Sequence, residues 1–189
     1  MSTPDSIHPK SRSEWRGWLA RNHGRTEGLW VITYKKSTGL PRLTDEEIID
    51  EALCFGWIDS KSKALDEKRS MFWCAPRKAG TGWSRRNKER VLKLIAAGDM
   101  ADAGMAKIRA ARSDGSWTAL DAVEALVIPA DLQAALASLP KASAYFERFP
   151  PSAKRSILDW IRSAKKPETR LRRIEESARL ADRNIRANQ

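Results

Sequence analysis

The spacing of apolar residues changes period along the chain, and those changes predict its elements. Residues 1–10 hold Pro4 and Pro9 and read as an extended lead-in. Ser11 and Glu14 then make a capping-box pair, Trp15, Trp18 and Leu19 follow at helical spacing, and Gly24 stops the helix. Residues 29–34 (Leu-Trp-Val-Ile-Thr-Tyr) are β-branched and aromatic, which predicts a strand running out into a turn at 35–39. Thr44 and Glu47 form a second capping box. The helix behind it carries Ile48, Ile49, Ala52 and Leu53 on one face, acids in its first turn and Gly56 just past its end. Residues 57–65 and 70–75 read as two strands of a hairpin joined by 66–69. Ser84 is placed to cap a helix with Val91, Leu94 and Ile95 inward, ended by Gly98. A weaker, alanine-rich helix spans 102–112 and stops at Gly115.

From Trp117 onward every signal is helical. A short segment at 119–127 ends at Pro129, a helix at 131–139 carries Leu132, Leu136 and Leu139, and another is marked by Ala142, Phe146 and Phe149. Ser152 is expected to cap a helix bearing Ile157, Trp160 and Ile161. Pro167 opens the last helix, whose apolar positions Leu171, Ile174, Ala178, Ala181 and Ile185 predict a narrow seam bordered by arginines. The class expected is α+β: a small antiparallel sheet covered by helices, then an all-helical C-terminal region. Strand signals cease near residues 115–130, so the expected domains are 1–118, holding the sheet, and 119–189, packed against or beside it.

Composition sharpens the class of partner. The formal net charge is +11 with a pI near 10.0. It is spread along the chain, 22 Lys/Arg facing 15 Asp/Glu up to Thr118 and 13 facing 9 beyond. Such a field draws phosphates, nucleic acid or acidic protein surfaces without specifying which. The first residues lack a basic stretch followed by an apolar core, and no apolar run approaches a membrane span, so a cytoplasmic protein without a signal peptide is expected.

The sharpest polar feature is residues 77–88, Arg-Lys-Ala-Gly-Thr-Gly-Trp-Ser-Arg-Arg-Asn-Lys. A helix start favours acids, yet here Arg85, Arg86 and Lys88 occupy the first turn. Gly80 and Gly82 would let backbone approach a ligand, and with Arg77, Lys78, Trp83, Ser84 and Asn87 they describe a phosphate or carboxylate cradle. The Gly-x4-Gly-Lys-Ser/Thr spacing of a nucleotide loop is missing. The competing reading is internal neutralisation by Asp59, Asp66 or Glu67. Trp57 and Trp83 flank the loop as stacking platforms or, more commonly for tryptophan, as core residues. Cys54 lies in the last turn of a helix, where the dipole opposes a thiolate, and His8 and His23 form no constellation with it. Neither a catalytic set nor a metal site is therefore expected, and no cofactor.

Glu51-Ala-Leu-Cys-Phe-Gly-Trp-Ile-Asp-Ser60, followed by Pro76-Arg77 and Trp83-Ser84-x-x-Asn87, resembles the YdeI/OmpD-associated, or bacteriocin-protection, family. Ala164-Lys-Lys-Pro-Glu-Thr-Arg170 is similar to that family's helical ending. The resemblance implies tolerance of bacteriocins or antimicrobial peptides and association with an outer-membrane porin; it implies no reaction. The function expected is a non-enzymatic binding protein taking an anionic ligand or acidic partner at residues 77–87, with Asp59 as the internal counter-charge. The alternatives are a nucleic-acid binder using the same loop and the arginine-rich last helix, or an enzyme on a phosphorylated or carboxylated small molecule with Asp59 as its acid.

Overall fold

The computed structural model describes residues 5–188, so the first four residues of the predicted lead-in lie outside it. The chain divides into two compact units, with the break between Ala119 and Leu120. The fold is α+β, with a helical C-terminal region.

In the first unit, β1 (Ser6–Ile7), β2 (Leu29–Tyr34), β3 (Trp57–Ala64) and β4 (Arg69–Pro76) form one sheet in the order β1-β2-β4-β3. β2 and β3 pair antiparallel to β4, as the sequence pattern predicts. The pattern does not predict β1, which adds a parallel edge, Ser6 opposite Trp30 and Ile7 opposite Val31. Two residues near a proline carry no alternation to read; the edge is made by a partner more than twenty positions away. The hairpin turn is tied by the Asp66 carboxylate, which accepts from the amides of Lys68 and Arg69 and from the Arg69 guanidinium.

Four helices accompany the sheet: α1 (Arg12–Asn22), α2 (Asp45–Cys54), α3 (Arg85–Ala96) and α4 (Asp102–Ser113). The α2 box is complete, Thr44 accepting from the Glu47 amide while Glu47 accepts from the Thr44 amide. At α1 only half of it forms. Ser11 accepts from the Glu14 amide, but the Glu14 carboxylate takes the Lys10 amide. Gly56 closes α2 at φ +74, a conformation open to glycine. The core gathers Leu29 and Val31 of β2, Phe72 and Cys74 of β4, and Trp15, Leu19, Ile48, Leu53, Trp57, Val91 and Ile108. α4 crosses the end of α2 so closely that a Cβ on Gly104 would stand 2.2 Å from the Cys54 carbonyl oxygen.

The second unit contains α5 (Asp121–Glu124), α6 (Ala130–Ala137), α7 (Ala142–Arg148), α8 (Pro151–Arg162) and α9 (Pro167–Ala181) around Leu132, Leu136, Phe146, Ile157, Ile161, Ile174 and Ala178. Two expectations are corrected here. Ser152 does not cap α8; the helix begins two residues earlier than that cap would place it, with Pro150 as the cap and Pro151 at the first helical position, where its missing N–H costs nothing. The α9 seam is shorter than its spacing suggests. Ile174, Ala178 and Ala181 are buried, whereas Leu171 and Ile185 are about half exposed, Ile185 lying past the helix end.

Candidate functional site

The predicted loop is split by the fold. Its first half, after β4, is organised by Arg77, whose amide donates to the Gly56 carbonyl at 2.9 Å. The Arg77 guanidinium carbon lies 3.8 Å from the centroid of the Trp83 ring, and Trp83 in turn meets Trp117 at 5.1 Å. Nη2 of Arg77 donates to the Gly82 carbonyl at 2.6 Å and more weakly to that of Thr81. Its Nε and Nη1 are buried and have no hydrogen-bond partner. The residue is 3% exposed, and burial pushes its guanidinium down to about 10. It therefore stays charged at neutral pH.

Beside it is a cleft of about 70 Å³, lined by Arg77, Lys78, Gly80, Trp83, Lys107 and Asp114 among others. Lys107 and Asp114 come from α4 and the turn after it, some thirty positions along the chain, and nothing in their local sequence marks them. Asp114 accepts from the amides of Gly80 and Ser116, and hydrogen bonds from Ser116 and Gly80 hold its carboxyl below the usual range. Gly80 takes φ +72, and its amide serves Asp114; the Gly82 carbonyl serves Arg77. The glycines thus shape the loop around the guanidinium and the Asp114 carboxylate.

The second half of the motif stands apart. Ser84 caps α3, accepting from the Asn87 amide at 3.3 Å, so both residues serve the helix start. Arg86 lines a different, mixed-charge groove of about 330 Å³ with Glu46, Asp50, Glu89 and Arg90. Arg85 is engaged in interactions of its own. Trp57 is fully buried in the core, its ring N–H donating to the His23 carbonyl and its ring edge-on to Trp18. Asp59 sits on β3 opposite Cys74. Among the described residues no ion pair joins Arg77 to Asp59, Asp66 or Glu67; Asp66 is taken by Arg69.

A second charged cluster carries no mark in the sequence. Glu51, 1% exposed, accepts from Arg12 Nε at 2.5 Å and Arg16 Nη1 at 2.8 Å, and Arg16 also donates to the Asp99 carbonyl. Glu51 has the position of a core residue on α2, which is why its charge gives no signal. Cys54 and Cys74 are both free and buried. Burial, with the Glu51 charge behind it, pushes the Cys54 thiol up to about 11; burial and Asp59 raise Cys74 as well. Part of the arginine set on α9 is committed to the fold: Arg170 forks onto Asp131, and Arg173 donates to the Trp160 carbonyl and the Ser163 hydroxyl.

Fold and site together define an α+β protein with a buried, half-satisfied guanidinium beside a small cleft. A family model described as "Domain of unknown function (DUF8412)" matches residues 7–107, more than half of the chain, and the chain belongs to that family. A second model, "Bacteriocin-protection, YdeI or OmpD-Associated", matches residues 125–184, bearing out the resemblance seen in the sequence. No curated protein and no solved structure matches the chain. Among the described residues, no helix is long and apolar enough to cross a membrane.

Proposed function

We propose that this is a non-enzymatic binding protein of the YdeI/OmpD-associated, bacteriocin-protection type, which captures an anionic group at Arg77. The observation that carries the reading is the pair of unpartnered guanidinium nitrogens on a 3% exposed residue. Buried polar groups are nearly always hydrogen-bonded, and a buried charge lacking a partner is costlier still. A carboxylate or phosphate oxygen is the charge-assisted partner that Nη1 lacks. Lys78 and Lys107 in the cleft lining add to the attraction.

The size of the cleft constrains the ligand. About 70 Å³ admits a single carboxylate or phosphate head, so the body of the ligand lies outside and the head is presented by a larger molecule. The charge constrains it too. A +11 protein repels cationic bacteriocins at long range, so sequestering such peptides is a poor route to protection, and an acidic partner fits better. Catalysis finds little support: the only acid among the six cleft residues named above is Asp114, held ionised by its hydrogen bonds, and both thiols are raised and buried.

Titration calorimetry with acetate and with inorganic phosphate tests the reading. Saturable heat in the wild type that disappears in Arg77→Gln supports it; equal responses from the two proteins, or no saturable heat from either, overturn it.

A further inference from the structure

We infer that the outer face of the sheet is a separate binding surface for single-stranded nucleic acid. In a strand, alternate residues point to opposite faces. Leu29 and Val31 of β2 and Phe72 and Cys74 of β4 enter the core. Trp30, Ile32 and Tyr34 of β2 and Met71 and Trp73 of β4 therefore stand on the other face, outside that cluster; Trp30 and Met71 are buried there, and Ile32, Tyr34 and Trp73 are partly exposed. The register puts Lys61 opposite Trp73 and Lys63 opposite Met71, on that same face.

A sheet face outside the core is ordinarily polar; this one has an aromatic centre under a cover of lysines. Trp30 and Trp73 meet edge to face at 5.4 Å. The Lys61 ammonium lies 5.5 Å from the Trp30 ring centre and 5.6 Å from that of Trp73, and the Lys63 ammonium lies 4.7 Å from Trp30. Toward the other edge, Lys10 stands 5.9 Å over Tyr34. Trp73 is held in place as well as half-buried: a Cβ at Gly28 would come within 2.8 Å of its Cζ2. Arg69 and Asp66, at the hairpin end, satisfy each other and leave the lysines to set the sign of the field.

These parts match the two demands of an unpaired strand, a fixed π-surface for bases and mobile cations for phosphates. Without a ligand, the exposed Lys61 and Lys63 rest on the indoles. A base arriving on Trp73 takes the place of an ammonium, which then turns to the neighbouring phosphate. Lys61 and Lys63, two positions apart on one strand, lie about 7 Å from each other, a separation suited to neighbouring phosphates. A duplex keeps its bases paired and offers no face to Trp73. An acidic protein would meet the lysines yet leave the indole pair unused.

The experiment is a fluorescence-anisotropy titration of a labelled short oligothymidylate, with circular dichroism confirming that each variant is folded. The wild type is expected to bind, with a log–log salt slope of about −1.4 if two phosphates are neutralised. Lys61→Glu with Lys63→Glu, both on exposed positions, should lower affinity by about tenfold or more, and Trp73→Thr by a similar factor, with Trp73→Phe retaining most of it. The same sequence as a duplex should bind less tightly. Arg77→Met should leave oligonucleotide binding intact, which separates this surface from the Arg77 cleft. No binding by the wild type at low salt overturns the inference. So does binding that is unchanged in the double lysine variant or in Trp73→Thr, or that is as tight for the duplex, since bulk charge would then explain it.

Discussion

Replacing Arg77 by methionine separates a ligand-binding charge from a structural one. Burial lowers the guanidinium from its ordinary value to about 10, and at 1.36 kcal/mol per pKa unit this opposes folding by about 3 kcal/mol. Against that stand two favourable interactions that the arginine makes. The charged hydrogen bond to the Gly82 carbonyl is worth about 1.5–3 kcal/mol, and methionine cannot donate it. The stack on Trp83 adds about 0.5–2 kcal/mol, part of which a thioether on the same ring restores. The opposing terms nearly cancel, so Arg77→Met should shift the unfolding free energy of the ligand-free protein by less than about 2 kcal/mol in either direction. Urea denaturation followed by tryptophan fluorescence reads this as a small change in midpoint at constant slope.

The same titration in the presence of anion completes the test. An anion bound only to the folded wild type, at about a hundred times its Kd, should add about 2.7 kcal/mol, and the variant should gain none of it. The pH dependence has a fixed sign. Because the folded value lies below the unfolded one, the guanidinium opposes folding fully at pH below about 10, and the penalty fades as pH rises from there toward the unfolded value. The wild-type and variant difference should therefore be flat across neutral pH. A loss above about 3 kcal/mol in the variant, with no anion-dependent gain in the wild type, would refute the reasoning and make Arg77 a purely structural stack.

Asp114→Asn removes the charge nearest the cleft, its one amide oxygen keeping either the Gly80 or the Ser116 contact but not both; acetate affinity measured by calorimetry should rise several-fold, and a fall would contradict the placement of the ligand. Glu51→Ala leaves Arg12 and Arg16 without their buried carboxylate; since both arginines are partly solvated, the loss should be about 1–3 kcal/mol in urea denaturation, and a neutral result would remove the cluster from the account of stability. Gly104→Ala drives a methyl into the Cys54 carbonyl, a backbone group with little freedom to yield, and should lower the thermal midpoint by an amount equivalent to about 1–3 kcal/mol. The Cys54 and Cys74 thiols should resist a water-soluble disulfide reagent at neutral pH until the protein is unfolded; fast reaction of either in the native state would reopen cysteine chemistry. His8 has its pKa lowered by burial and by Lys10, so the unfolded chain takes up the proton first and stability falls as pH drops through 6.5 toward the folded value; His8→Gln should blunt that acid sensitivity in midpoints compared between about pH 8 and about pH 5.

Elements whose decisive interactions are local are legible in the sequence. Thr44 and Glu47 lie three residues apart and close the α2 box on each other, and Asp66 ties its own turn through Lys68 and Arg69. Ser84 announces its cap for the same reason. What fails to show depends on distant partners or on a competing local rule. β1 exists because Trp30 offers it an edge. Pro151 takes the helix start that Ser152 marks by residue type alone, since proline is already fixed near helical φ. Leu171 has the spacing of a seam residue, but nothing in the spacing says where the neighbouring helices run.

The site shows the same division, and it changes what the basic motif means. Along the chain, residues 77–88 are one cluster whose charges ask for a counter-ion, and Asp59 is the natural candidate. In the fold, Ser84 and Asn87 satisfy the helix start, Arg86 enters a groove where Glu46 and Asp50 are paired with Arg90, and Asp59 remains on β3. Arg77 keeps an unmet demand, because it is buried on an aromatic ring with Nη2 on the loop carbonyls and with Nε and Nη1 buried and unpartnered. Net charge cannot single it out among 35 lysines and arginines, since a solvated cation and a desolvated one read alike in sequence. Desolvation is what distinguishes them: an exposed arginine can keep water as its partner, whereas Arg77 has given up water at two nitrogens and has gained nothing there in return. An anionic head of carboxylate or phosphate size is the simplest group that would give an unpartnered nitrogen a charge-assisted hydrogen bond.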